Sequence, residues 1–291
     1  MKSKVYFTKE ITPEALTKIY EAMGAELNGR TAIKISTGEP GGHNFLDFNL
    51  IKPLVQKLNG TIVECNTVYE GRRNTTEAHW QTFKDHGFMS IAPCDIMDED
   101  GEMPLPVGNG AHLEQNYVGA HLKNYDSMLV LSHFKGHIMG GMGGALKNMS
   151  IGIASSRGKL LIHTSATSED YDAMFTADHD SFLESMADAD KSVMDYMGRK
   201  NIAYINVANK LSVDCDCAAN PADPEMADIG IFASLDPVAL DQASVDAVYD
   251  SPDSGKAALI ERIESRNGIH TVEAAAALGL GSREYELIDL D

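Results

Sequence analysis

Apolar positions along this chain follow two alternating rhythms. Short runs rich in β-branched and aromatic residues, at 4–7, 31–36, 61–65, 88–92, 127–132, 202–207, 229–233 and 284–290, read as strands. Stretches at 12–27, 47–58, 75–85, 180–200, 237–249, 255–265 and 271–278 read as helices. The first of these opens on Thr12-Pro13-Glu14, which supplies a capping hydroxyl, a first-turn proline and an acid where a helix favours negative charge. Strands separated by helices form βαβ units. The pattern therefore predicts an α/β, Rossmann-like fold with a largely parallel sheet and helices on both faces. In such sheets ligands sit beyond the carboxyl ends of the strands, so the strand-to-loop junctions are where chemistry is expected. If the chain forms two lobes, they are 1–165, holding a glycine-rich loop, and 166–291, although no repeat or low-complexity linker marks the division.

Charge narrows the partners. The 291 residues carry 24 Lys plus Arg against 43 Asp plus Glu, a formal net charge of −19. Nucleic acid and anionic membranes both require a concentrated positive face, which leaves small molecules, cations or another protein. The acidity is concentrated: residues 168–200 hold nine acids and three bases, and 214–253 hold ten acids and no base, together −16 of the −19. Such runs ordinarily form a solvated surface. No apolar run approaches the ~18 residues of a membrane-spanning helix, and the opening residues have no hydrophobic signal core. Four cysteines are too few for a disulfide scaffold. A cytoplasmic protein in a reducing compartment is expected.

Three segments carry candidate chemistry. Residues 132–152, SHFKGHIMGGMGGALKNMSIG, leave the strand at 127–132 with His133, Lys135, His137 and Lys147 among Gly136, Gly140, Gly141, Gly143 and Gly144. Glycines this dense let the backbone approach a ligand and aim N–H groups at an anion, ahead of a helix N-terminus. Neither GxxxxGK[ST] nor GxGxxG is present, so no common nucleotide site is implied. His137 and Lys147 are the expected catalytic residues, His137 as base and Lys147 facing the anion, with Lys135 beside it. The second segment is Asp214-Cys215-Asp216-Cys217, where extended backbone would put both thiols on one face as metal ligands. Completing such a site takes ligands from elsewhere, and His133 and His137 are expected within reach. In the third, NTVYEGRRN after the strand at 61–65, Asn66 and Arg73 are candidates to clamp an acidic ligand. His86, His112, His179 and His270 read as ordinary surface or core residues.

The runs TGEPGGHNFL, NTVYEGRRN, SHFKGHIMGGMGGALKN and DCDCAANPADPEMADIGIFASLDPVALDQASVD resemble the domain-of-unknown-function family 362, from about Ile33 to Val248. Members of that family are often described as iron–sulfur-cluster-binding. Many carry a ferredoxin-like, cysteine-rich insert shortly after the position of His163, whereas Thr164 to Met197 here contains no cysteine. Thiolate ligation of a cluster normally takes four cysteines, so no such cluster is expected within one chain. A fainter resemblance is to the nickel-pincer lactate racemases, which have a His ten residues before the cofactor-bearing Lys. His137 and Lys147 match that spacing, with the Gly-Gly pair offset by one residue.

These readings predict a metal- or cofactor-dependent protein, a redox or metal-assisted enzyme acting on a small anionic substrate. A metal ion at His133, His137, Cys215 and Cys217 would act as Lewis acid. The alternative is a non-catalytic metal-handling or cofactor-maturation module whose acidic surface docks a basic protein. Catalysis predicts a buried pocket with perturbed histidines; docking predicts an exposed site.

Overall fold

A computed structural model describes residues 2–291. The chain opens with β1 (Ser3–Thr8), α1 (Pro13–Met23), β2 (Thr31–Lys34), α2 (Phe48–Lys57), β3 (Thr61–Glu64), α3 (Thr76–Asp85) and β4 (Cys94–Ile96). A hairpin, β5 (Glu102–Pro106) and β6 (Gln115–Gly119), leads to β7 (Ser127–His133). A second, small hairpin, β8 (Lys135–His137) and β9 (Gly141–Gly143), runs into α4 (Ala145–Ile153), α5 (Ser156–His163) and the long α6 (His179–Met197). The remainder is β10 (Ile202–Ala208), β11 (Gly230–Ser234), α7 (Pro237–Asp250), α8 (Lys256–Ser265), α9 (His270–Ala277) and β12 (Tyr285–Asp289).

Eight strands form one sheet in the order β12-β1-β11-β10-β7-β2-β3-β4. The block from β10 to β4 is parallel, β1 and β12 are parallel to each other, and β11 is antiparallel to both its neighbours. β11 can oppose the rest because a loop, not a crossover helix, joins it to β10. That loop carries the two adjacent-but-one cysteines, so they lie at the carboxyl edge of β10. Strands from both sides of position 165 interleave: β1 lies between β12 and β11, and β10 beside β7.

Period-two alternation divides the core. Met128 and Val130 of β7 face one side with α4, α6, α7 and α9, while Leu129 and Leu131 face the other with α1, α2 and α3. Each fully buried Leu contributes about 1.5–3 kcal/mol. The sheet is thus covered on both faces, as the pattern of apolar runs predicts. From β2 the chain steps outward through β3 to β4, then returns to the opposite side of β2 as β7 and β10. The gap between the carboxyl ends of β2 and β7 is a topological switch point, where open α/β sheets bind ligands.

Local chemistry accounts for the departures from the expected elements. Helix α1 stops at Met23 because Gly24 adopts φ 69° and ends the turn. The strand expected at 88–92 is instead a 3-10 turn, Phe88–Ser90, behind Gly87 at φ 83°, and the sheet strand follows as β4. The β5–β6 hairpin and α5 have no counterpart in the sequence reading. The acidic runs are only partly solvated surface: Asp188, Asp190, Asp216 and Asp241 are buried. Several satisfy backbone donors, as Asp188 does by accepting from the amides of Ala111, His112 and Leu113. Among the described residues, no helix is long and apolar enough to cross a membrane.

Candidate functional site

The carboxyl ends of β2, β3 and β7 open into a cavity of about 450 Å³ at the switch point. On its β2–β3 side, Lys34 is the last paired residue of β2 and Glu64 the last of β3. Lys34 Nζ donates to Glu64 Oε2 at 2.7 Å, to Asn148 Oδ1 at 3.0 Å and to the Ile35 carbonyl. Arg73 closes the cluster, donating to Glu39 at 3.0 Å, Glu64 at 3.4 Å and the Tyr69 hydroxyl at 2.7 Å. Burial alone would push the Glu64 carboxyl up, but Lys34 and Arg73 outweigh it and hold it at about 2. Asn66, expected beside Arg73 as a ligand group, turns away and bonds Thr76 and His79.

The opposite side comes from the glycine-rich run and the Cys215–Cys217 loop. His137, Cys215 and Cys217 offer ligand atoms all within 4.8 Å of one another. The His137 Nδ1 accepts from the amides of Met139 at 3.2 Å and Gly140 at 2.8 Å. Burial and then Lys147 push this histidine down to about 4, so near neutrality the ring carries one proton, on Nε2. Nε2 lies 4.0 Å from Cys217 Sγ. The Cys215 thiol is held well below its usual range by the hydrogen bond from Cys217, aided by Lys147 and Lys135, while Cys217 is held above it. The pair therefore carries one thiolate, on Cys215, whose sulfur also accepts from the Cys217 amide at 3.4 Å.

His133 does not join them. Its Nδ1 lies 2.8 Å from Asp216 Oδ1 and its Nε2 2.6 Å from the Asn209 carbonyl, so both ring nitrogens are engaged. The expected four-ligand set thus contracts to three. Alternation explains why: with both cysteines on one side of the loop, Asp216 between them reaches His133 and Lys135 instead.

The glycines also do different work from that expected of an anion-binding loop. The amides of Ala145 and Leu146, which open α4, donate to Asp241 at 2.8 and 3.0 Å, so the helix N-terminus already holds an internal carboxylate. Gly144 is small because a Cβ would strike Asp241, Gly136 because one would strike the Val213 backbone, and Gly141 has φ 73°. Gly143 and Gly144 line the cavity; Gly140 and Gly141 do not.

Three lining residues had no signal in the sequence. Lys34 looks like an ordinary strand residue, and Lys159 and His163 sit on α5, which has no recognisable motif. Lys159 is buried and its Nζ meets only the Ala154 carbonyl, at 2.5 Å. Burial pushes His163 down to about 3, and its Nδ1 donates to the Lys159 carbonyl at 2.7 Å, which leaves Nε2 as a free acceptor. Lys147, on the first turn of α4, has no hydrogen-bond or carboxylate partner for its ammonium among the described residues; Lys135 pairs with Asp216 at 3.0 Å. Of five cations lining the cavity, Lys34, Arg73 and Lys135 are matched by Glu39, Glu64 and Asp216, while Lys147 and Lys159 have no carboxylate.

Neither grouping of potential ligands among the described residues, this one and Asp95–Glu99–His121, contains four cysteines. Cys65 lines the same cavity but lies outside this group, with its thiol directed at the Ile153 carbonyl at 3.2 Å, and Cys94 sits on β4. The donor set in this chain does not fit a four-thiolate iron–sulfur cluster.

Fold and cavity together define a Rossmann-like α/β protein with a cationic, thiol-bearing pocket at its switch point. The model of the domain of unknown function DUF362 matches residues 31–246, and the chain belongs to this family. No curated protein shows significant similarity to it. Among solved structures, the lactate racemase apoprotein from Thermoanaerobacterium thermosaccharolyticum is similar with a TM-score of 0.50 at 15% identity, covering 85% of this chain and 57% of that one. A Thermotoga maritima protein gives a TM-score of 0.44 at 13% identity, covering 81% and 56%. The chain thus spans little more than half the length of these two proteins, and the likeness to the first is one of fold.

Proposed function

We propose that this protein is an enzyme acting on a small organic anion, which it holds against the Cys215 thiolate and the neutral His137 and His163. One observation carries the reading. A chain of net charge −19 lines this cavity with five cations; Lys34, Arg73 and Lys135 pair with Glu39, Glu64 and Asp216, and the lining Asp214 is held by Arg262, while Lys147 has only the neighbouring Cys215 thiolate and Lys159 only a carbonyl. A buried ammonium such as Lys159 with no carboxylate beside it is costly, and a carboxylate or phosphate from solution, reaching it and the half-buried Lys147, would offset that cost through charge-assisted hydrogen bonds. The neutral histidines then stand as proton acceptor and donor: His163 offers a lone pair on Nε2, His137 a proton on Nε2. Calorimetric titration of the reduced protein with phosphate and short carboxylates tests this. Binding should saturate and should slow alkylation of Cys215; no binding in the millimolar range would sink the reading.

A second reading, that the same centre takes a soft metal ion, is favoured by the clustering of His137, Cys215 and Cys217. Bound there, an ion would act as Lewis acid toward the anion. Uptake would displace the proton of Cys217, so it should weaken as pH falls. Zinc or nickel binding lost in Cys215→Ser would support it; unchanged metal content in that variant would end it.

A further inference from the structure

The cavity's floor and mouth differ in chemistry. Cations and thiols gather at the strand ends, whereas the mouth is apolar. Three of the eight exposed large hydrophobic side chains among the described residues line it: Ile138, 57% exposed, Phe175, 63%, and Tyr171, 37%. They arrive from separate segments. Ile138 sits in the turn between β8 and β9, and Tyr171 precedes and Phe175 ends the 3-10 turn Asp172–Phe175 between α5 and α6. Tyr171 and Phe175 meet edge to face with ring centres 5.5 Å apart. Met139, Ile151 and Met174 continue this wall inward.

Scattered exposed hydrophobics are ordinary, but several converging on one opening mark a surface that a ligand covers. We infer that the anion this site takes is amphipathic: a carboxylate or phosphate head on an apolar tail of several carbons. This rests on the reading of the cavity as an anion site. The head reaches Lys147 and Lys159, and the tail lies along Ile138, Tyr171 and Phe175. An inorganic anion would satisfy the floor and leave the mouth wet. The two methionines suit a tail whose shape varies, because the unbranched thioether repacks easily.

The test is calorimetry on the reduced full chain with two series of equal tail lengths, alkyl carboxylates from acetate to octanoate and alkyl phosphates, with inorganic phosphate as reference. Affinity should rise about fourfold per methylene until the tail fills the mouth. The tighter series identifies the head group. A double variant, Ile138→Ser with Phe175→Ser, alters exposed positions and should melt as the parent does. It should weaken octyl ligands far more than inorganic phosphate. If anions bind but tail length makes no difference, or if the double variant keeps the full dependence, the inference fails while the anion reading stands. If neither phosphate nor any tailed anion binds, the anion reading fails and takes the inference with it.

Discussion

The two sides of this cavity are both cationic and both enclosed, yet only one has charge to offer a ligand. On the β2–β3 side, Lys34 and Arg73 are held by Glu64 and Glu39, and the hydrogen bonds of all four are largely engaged within the protein. On the α4–α5 side, Lys147 has no partner and Lys159 only a carbonyl, and beside them stand a thiolate and a histidine lone pair. Buried charge by itself therefore does not mark a site. The mark is charge inside the cavity that the fold has left without a carboxylate, since an internal ion pair holds the structure while a cation with no carboxylate partner can take an external anion.

The largest way to break this contrast is at the matched side. Glu64→Gln leaves Lys34 and Arg73 facing a neutral amide and should cost about 3–5 kcal/mol in urea unfolding. Its pH dependence follows from the sign of the shift. Lys34 and Arg73 hold the Glu64 carboxyl at about 2, below its unfolded value, so its contribution is complete above about pH 4.5 and disappears as pH falls toward 2. The stability gap between parent and variant should narrow over that window, and a gap independent of pH would contradict the assignment. Lys147→Met, on the unmatched side, should change stability by no more than about 0.5 kcal/mol. It should weaken phosphate roughly 10- to 100-fold, the effect of losing one charge-assisted hydrogen bond. Were Lys147→Met as destabilising as Glu64→Gln, the contrast would be lost.

The thiols sharpen the comparison further. The hydrogen bond from Cys217 and the nearby lysines favour a Cys215 thiolate, whereas burial pushes Cys94 up to about 12 and Cys65 higher. Iodoacetamide at pH 7 should modify Cys215 before Cys65 and Cys94 by roughly tenfold or more, read by peptide mass mapping. Preferential labelling of Cys94 would mean that the unmatched cations do not govern thiol chemistry here.

The same contrast explains what was legible in the sequence. The strand rhythm places β7 and β10, and their junctions hold residues that arrive at the cavity: Lys135, His137 and Lys147 after β7, Cys215 and Cys217 after β10. Local spacing could not show that Asp216 would take both His133 and Lys135, or that Asp241, nearly a hundred residues away, would cap α4. Lys34, Lys159 and His163 were invisible for a related reason. A lysine in TAIK and a lysine four residues before a histidine on a short helix have no pattern of their own; the end of β2 places Lys34, and the packing of α5 turns Lys159 and His163 inward. Asn66 shows the opposite failure: it stands in a motif beside Arg73 yet points at Thr76 and His79.

The smallest expected effect lies between the two lysines nearest the thiols. A Cβ on Gly143 would stand 3.5 Å from Lys147 Cδ and 3.6 Å from Lys135 Nζ, ordinary contacts with flexible side chains, at a backbone conformation that alanine can adopt. Gly136 is the internal reference, because a Cβ there meets the Val213 backbone, which cannot give way. Gly136→Ala should cost about 1–3 kcal/mol through overpacking. Gly143→Ala should leave stability within about 0.5 kcal/mol, because its methyl enters ligand space instead of core. Its consequence should be confined to binding, with branched-headed anions weakened more than slender ones as the methyl narrows the approach to Lys147. Equal losses of stability in the two variants would show that Gly143 belongs to the packed hairpin and that the α4 side is as closed as the β2–β3 side.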